Sequence, residues 1–378
     1  MIAEAVPCTR PPRIVAIGGG TGLPVLLRGL REALFPPPPP AQPRWGRDLL
    51  TALVTVADDG GSSGRLRSSY GIVAPGDVRN CLVALAEDPR MATMFDFRFD
   101  GTDGLAGHSL GNLILAALSR IEDRFPAAVE RAGELLGIRG RVLPATGADV
   151  RLLAELADGR RVEGESRLAA ARGRVCRVRL VPEEAPALPE ALRAIAAADL
   201  VVIGPGSLYT SLLPVLLVRG IAGEIGRSGA RVVLVMNLMT EPGETDAMTA
   251  ADHVRALRRH VPGMPIHDVL LAEAPILSRM LEAYAASGAR PVAADLAALR
   301  ALGCRPVRWR MLAAGDKVRH DPHRLAAAVL RAGEVHHWSD ELGAVRPRTD
   351  IGPGPAERPR VYRMPGPPGS RELREERP

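Results

Sequence analysis

The sequence predicts an α/β fold: a Rossmann-like, doubly wound, mostly parallel sheet with helices on both faces and a small antiparallel insert. Three observations predict it. Short runs of apolar residues, at Ile14–Ile17, Thr51–Ala57, Leu200–Ile203 and Arg231–Met236, end in glycine-rich or polar turns. Segments with apolar residues at helical spacing lie between them. One stretch, about 138–181, instead alternates apolar and charged residues around a tight turn. Buried strands that alternate with helices imply a parallel sheet covered on both sides.

Each element has its own signal. Ile14–Gly22, reading IVAIGGGTG, is a buried strand running into a tight turn, and a helix follows over Leu23–Leu34. Pro36–Pro40, continued by Ala41, Gln42 and Pro43, cannot extend that helix and reads as an extended loop, residues 36–43. A tolerated loop expansion explains it better than a PxxP partner site. Thr51–Ala57 is the second strand. Val78–Glu87 and Leu110–Ile121 carry apolar residues at helical spacing. Val150–Leu156 and Arg161–Ser166 flank Asp158-Gly159, a hairpin signal. Val175–Val181 alternates apolar residues with arginine, as a half-exposed strand does. A helix at Glu190–Ala198 leads into the strand Leu200–Ile203. Arg231–Met236 is the next strand, and Asp268–Leu271 and Val307–Met311 are weaker candidates. The expected organisation is a flexible terminus over 1–12, a single α/β domain over 13–332, and a disordered tail over 343–378, rich in Pro, Gly, Arg and Glu.

Composition narrows the class. The 378 residues are 46% hydrophobic, enough for a sizeable core, but only 3% aromatic, so aliphatic side chains must fill it. The formal net charge of +6 comes almost wholly from arginine; Lys317 is the one lysine. No basic run is interleaved with aromatics, which argues against a nucleic-acid partner. Cys8, Cys81, Cys176 and Cys304 are too scattered for a disulfide framework or a zinc site. The first twelve residues lack the apolar core of a signal peptide, and no apolar run reaches about 18–20 residues. The expectation is a cytoplasmic protein without membrane insertion.

Ligands of such sheets bind beyond the carboxyl ends of the strands, and the unusual residues sit there. Gly19, Gly20, Thr21 and Gly22 form a turn whose backbone approaches a ligand closely, ahead of a helix start that attracts anions. A P-loop would need a lysine here, and a dinucleotide site would need G-x-G-x-x-G; Gly18, Gly20 and Gly22 give G-x-G-x-G. A dinucleotide-dependent oxidoreductase therefore rests on this turn alone. After Val54–Ala57 come Asp58, Asp59, Gly60, Gly61, Ser62, Ser63 and Gly64. The serines and backbone N–H groups suit phosphate oxygens. The two aspartates suit sugar hydroxyls or a magnesium ion. Gly204, Gly206 and Ser207 follow the strand Leu200–Ile203, and Asn237 follows Arg231–Met236. Asp77 with Asn80, and His108 with Asn112, are spaced to share helix faces; His108 has an intrinsic pKa suited to a general base. Helix capping and turn-making are the competing, weaker account of any one of these residues. No H-E-x-x-H zinc motif is present.

In this order, the blocks IGGGTGLPVLLRGL, VTVADDGGSSGRLR, PGDVRNCLVALAED, GHSLGNLILAAL, IGPGSLYTSLLPVLLV, MNLMTEPGET and VRHDP resemble the YvcK-type family of gluconeogenesis factors, also described as UDP-N-acetylglucosamine-binding proteins. The resemblance runs from about Arg13 to Leu330. The family is similar in fold to the CofD-type phospholactate transferases of deazaflavin-cofactor synthesis, which usually carry GPSNP where this chain has Gly204-Pro205-Gly206-Ser207-Leu208. The resemblance implies a cytoplasmic regulatory protein that binds a UDP-sugar and links carbon supply to cell-wall precursor synthesis and cell shape. It implies a protein partner, leaves room for a homo-oligomer, and requires no cofactor, with magnesium an option. It maps the ligand cleft onto the residues above and adds Tyr284, suited to stack on uracil, and Arg319, suited to pair with a diphosphate. The rival reading is a magnesium-dependent transferase that moves a phospholactyl-type group from an activated nucleotide to an acceptor hydroxyl.

Overall fold

The computed structural model describes residues 11–36, 46–171, 173–273 and 276–333. The tail expected over 343–378, residues 37–43 of the proline-rich loop, and residues 1–10 of the expected flexible terminus lie outside the described residues.

The strands run in chain order as β1 Ile14–Gly18, β2 Leu50–Val54, β3 Arg141–Pro144, β4 Arg151–Leu156, β5 Arg161–Glu163, β6 Val175–Val181, β7 Leu200–Ile203, β8 Arg231–Val235, β9 Asp268–Ala272 and β10 Arg305–Trp309. Seven of them form one sheet in the order β10-β9-β8-β7-β1-β2-β3, and every neighbouring pair in it is parallel. β1, β2 and β7 are buried at every residue. Their unbroken apolar runs are what a sheet covered on both faces requires. The remaining three strands form a separate antiparallel sheet, β5-β4-β6. There β4 alternates outward and inward residues, as its sequence does.

The expected insert of 138–181 begins later. Arg141–Pro144 is β3, the edge strand of the main sheet, paired in parallel with β2. Four residues, RVLP, are too few to show a period that would separate a parallel edge strand from the alternating strands beyond it.

Five helices position the site. They are α1 Gly22–Leu34, α2 Gly61–Tyr70, α3 Gly76–Leu85, α4 Pro89–Asp96 and α5 Leu110–Ile121. α1 starts four residues after β1 ends and buries Leu23, Leu26, Leu27, Leu30 and Leu34 on one face. The core is aliphatic, with Phe95 as its largest fully buried side chain. Among the described residues, no helix is long and apolar enough to cross a membrane.

Candidate functional site

From β1 the chain crosses to β2 and β3 on one side and later returns to β7 on the other. The carboxyl ends of β1 and β7 therefore diverge into opposite connections. That topological switch point opens a crevice. The GGGTG turn leaves β1 there and the GPGS turn leaves β7. Gly204 N–H donates to the Ile17 carbonyl across 2.8 Å. Gly22 has no room for a side chain: a Cβ would stand 2.5 Å from the Pro205 carbonyl oxygen. After β8, the Asn237 side chain clamps the GPGS turn. Its Nδ2 donates to the Gly206 carbonyl at 3.0 Å, and its Oδ1 accepts from Gly206 N–H at 3.1 Å. Ser207 Oγ donates to Glu241 Oε1 at 2.7 Å. Three strand-end turns from distant parts of the chain thus meet.

They border a cleft of about 770 Å³. Gly20, Thr21 and Gly22 line it from the first turn, Gly206 and Ser207 from the second, and Asn80, Asn237, Tyr284 and Arg319 complete the expected set. Two lining residues that sequence reasoning missed matter as much. Arg28 reaches the cleft from α1. Burial, and then the nearby Arg31, lower its pKa, and Arg319 is close enough to add to the effect. The signal was available: Gly22, Val25 and Arg28 recur every three residues on one helix face, and all three line the cleft. His320 is the second. Burial drives its imidazole down to about 4, so it stands neutral beside Arg319.

Most of the other expected residues, Asp59 and Gly204 excepted, form a polar wall outside this lining. Gly19 abuts the Asp77 carboxylate. Asp77 accepts from Gly20 N–H; burial first, and then the charge of Asp58, raise it to about 6. Asp58 Oδ1 accepts from Gly60 N–H at 2.8 Å. Ser63 Oγ packs against Gly76, and Gly64 lies so close to the Asp59 carbonyl that a Cβ would be 2.0 Å from it. Ser62 Oγ lies 2.9 Å from His108 Nδ1 and accepts from Asn112 Nδ2 at 3.0 Å. A hydroxyl has one proton and two acceptor lone pairs, so Ser62 can hold both partners at once. Burial, helped by Arg65 and Arg98, lowers the His108 pKa, which disfavours the charged imidazolium. This serine–histidine pair joins residues 46 apart in sequence.

Asp59 parts from Asp58. Its Oδ1 accepts from Ser166 N–H at 2.9 Å, facing a separate polar pocket between α2 and the antiparallel insert. The two neighbouring aspartates thus have different partners, Asp58 in its own turn and Asp59 in the insert. Among the described residues, no group of three or more His, Cys, Asp or Glu side chains could hold a metal ion. Two further carboxyl groups are shifted upward: burial, and then nearby acids, Asp58 first for Glu165 and Glu241 for Glu244, push Glu165 to about 9 and Glu244 to about 8.

Chemically, the cleft combines turn N–H groups at a helix start, hydroxyls, two guanidinium groups and a phenol ring. N–H groups and guanidinium groups are the donors that phosphates use. Hydroxyls and amides suit a sugar.

Comparison with known proteins follows the same lines. The family model described as 2-phospho-L-lactate transferase CofD matches residues 14–312. A gluconeogenesis factor from Bacillus subtilis is 45% identical over 84% of this chain and 97% of its own length. One from Halalkalibacterium halodurans is 44% identical over 84% of this chain and 95% of its own. The crystal structure of a UPF0052 family member from Bacillus halodurans superposes with a TM-score of 0.78 at 43% identity, covering 85% of this chain and all of that one. With its sheet order, its strand-end turns and these relatives in agreement, the chain belongs to the CofD family and, within it, to the YvcK-type gluconeogenesis factors.

Proposed function

We propose that this protein is a cytoplasmic regulator that binds a UDP-sugar, UDP-N-acetylglucosamine above all, across the strand ends. In its bound form it acts on a protein partner and so couples gluconeogenic carbon metabolism to cell-wall precursor synthesis and cell shape. One observation carries the reading: the cleft at the switch point joins a phosphate-type turn to Arg28, Arg319 and Tyr284 within one cavity. The diphosphate lies at the turn and the guanidinium groups, and the base lies against the Tyr284 ring. Isothermal titration with UDP-N-acetylglucosamine, UDP and GDP tests it. The UDP-sugar binds tightest; absence of binding removes the proposal.

A transferase is the second reading. The CofD match and the Ser62–His108 pair favour it. Its magnesium requirement finds no three-ligand cluster among the described residues, so no step is assigned to a metal. Incubation with a nucleotide-activated phospholactate and a deazaflavin acceptor, with magnesium added, yields product if this reading is right. An unchanged mixture beside an active transferase control dismisses it.

A further inference from the structure

We propose that a second ligand site lies beside the cleft, at the carboxyl ends of β9 and β10, and takes a small anion with an apolar body: a phosphate monoester or carboxylate on a medium-length alkyl chain. A pocket of about 450 Å³ is present there, within the size range of small-molecule sites. Glu273 enters it directly after β9 and Arg310 directly after β10. Ligand sites of open parallel sheets occupy this end of the strands.

The lining has two characters. Leu277, Met280 and Leu312 give it an apolar floor. Leu277 is 55% exposed, whereas Met280 is buried in the same lining. Arg310, Lys317 and Arg324 supply positive charge. The one acid in the lining, Glu273, is paired with Arg308 at 3.6 Å. Arg324 gives one Nη to the Leu312 carbonyl at 3.1 Å. Among the described residues, neither Arg310 nor Lys317 forms an ion pair. The pocket therefore presents uncompensated cations above exposed apolar surface. A neutral apolar molecule would leave the cations unused, and an inorganic anion would leave the apolar floor wet. An anionic head on an apolar body satisfies both.

The pocket adjoins the cleft without duplicating it. Val318 lines both. On the helix Ser278–Ala286, Met280 faces the pocket, and Tyr284, one turn further on, faces the cleft. The pocket's lining is otherwise its own, whatever the cleft binds.

Titration calorimetry on the full chain tests the site, with octyl phosphate and octanoate as probes, each below its micelle concentration. At least one of the two binds saturably at one site per chain, and the tighter one identifies the head group. Inorganic phosphate and hexanol bind at least ten-fold more weakly. Lys317→Glu and Leu277→Asp, both at exposed positions, each weaken the amphiphile at least ten-fold, with an unchanged melting temperature and an unchanged titration by UDP-N-acetylglucosamine. Lack of saturable binding by both amphiphiles overturns the proposal. So does hexanol binding as tightly as they do, or amphiphile binding that both variants leave intact.

Discussion

Arg319, Arg28 and Tyr284 are the side chains on which the proposed ligand most depends. Charge-assisted hydrogen bonds are worth about 1.5–3 kcal/mol, so Arg319→Ala and Arg28→Ala should each weaken UDP-N-acetylglucosamine binding roughly 10- to 100-fold. Titration of each variant checks this. The two arginines differ in how legible they were. Arg319 is visible only through the VRHDP resemblance, whereas Arg28 follows from helix geometry once the turn before α1 is taken as a ligand site. Asp58 and Asp59 show the opposite limit. Adjacent side chains in an extended segment point to opposite sides, and the partner that captures Asp59, Ser166, lies 107 residues away. Nothing local in the sequence reveals that separation. The buried acids also make a prediction. Asp77, Glu165 and Glu244 have carboxyl pKa values raised to about 6, 9 and 8, chiefly by burial. A raised folded-state pKa contributes stability that is fully present below about pH 4, where the unfolded groups are protonated too, and is lost as pH rises through the folded-state values. Thermal stability should therefore fall between about pH 5 and 9. Glu244→Gln should raise the melting temperature relative to the parent at pH 9 and leave it nearly unchanged at pH 5. A set of thermal melts across that range decides the matter.

At the scale of elements, the approach of α1 to the GPGS turn is the critical contact. Any side chain at position 22 must push the Pro205 carbonyl away, and forced overpacking costs about 1–3 kcal/mol. Gly22→Val should lower the melting temperature and abolish nucleotide-sugar binding together, measured by calorimetry and titration on one preparation. The main-sheet strands are readable because buried parallel strands are written as short runs of branched apolar residues: β7 falls where its sequence places it, and β1, β2, β8 and β9 within a few residues; β6, in the antiparallel sheet, is readable from its alternation instead. β10 lies two residues before its expected start, Arg305 rather than Val307, because as an edge strand it is only partly buried. α4 and the helix Phe125–Leu135 went unread; the first is eight residues long with little buried surface. The turn after Ser207 is a π-helical segment, Leu208–Leu212, before it becomes α-helical. No side-chain period distinguishes that geometry from an ordinary helix start.

For the molecule as a whole, the cleft and a buried ion-pair cluster lie at opposite ends of the sheet. The cleft lies at the carboxyl ends of the strands. At the amino ends of β8, β9 and β10, fully buried Asp268 is held by Arg231 Nε at 2.6 Å and Arg305 Nε at 2.5 Å. Breaking a buried ion pair costs about 3–5 kcal/mol. Here Arg305 is nearly half exposed and regains water, so Asp268→Ala should cost about 2 kcal/mol. Chemical denaturation should register that loss, while affinity for the nucleotide sugar stays as it was. The fold class and most strand-end turns could be read before any coordinates, since they depend on local patterns. The convergence of those turns follows from the doubly wound topology, whereas the Ser62–His108 pair and the division between cleft and polar wall arise from packing between residues far apart in the chain. The central claim is that the switch-point cleft binds a UDP-sugar. Its most direct test is titration of the folded protein with UDP-N-acetylglucosamine. Saturable one-to-one binding, tighter than that of UDP or GDP and lost in Arg319→Ala, is the predicted result. A folded protein that gives no binding heat with the UDP-sugar would contradict it.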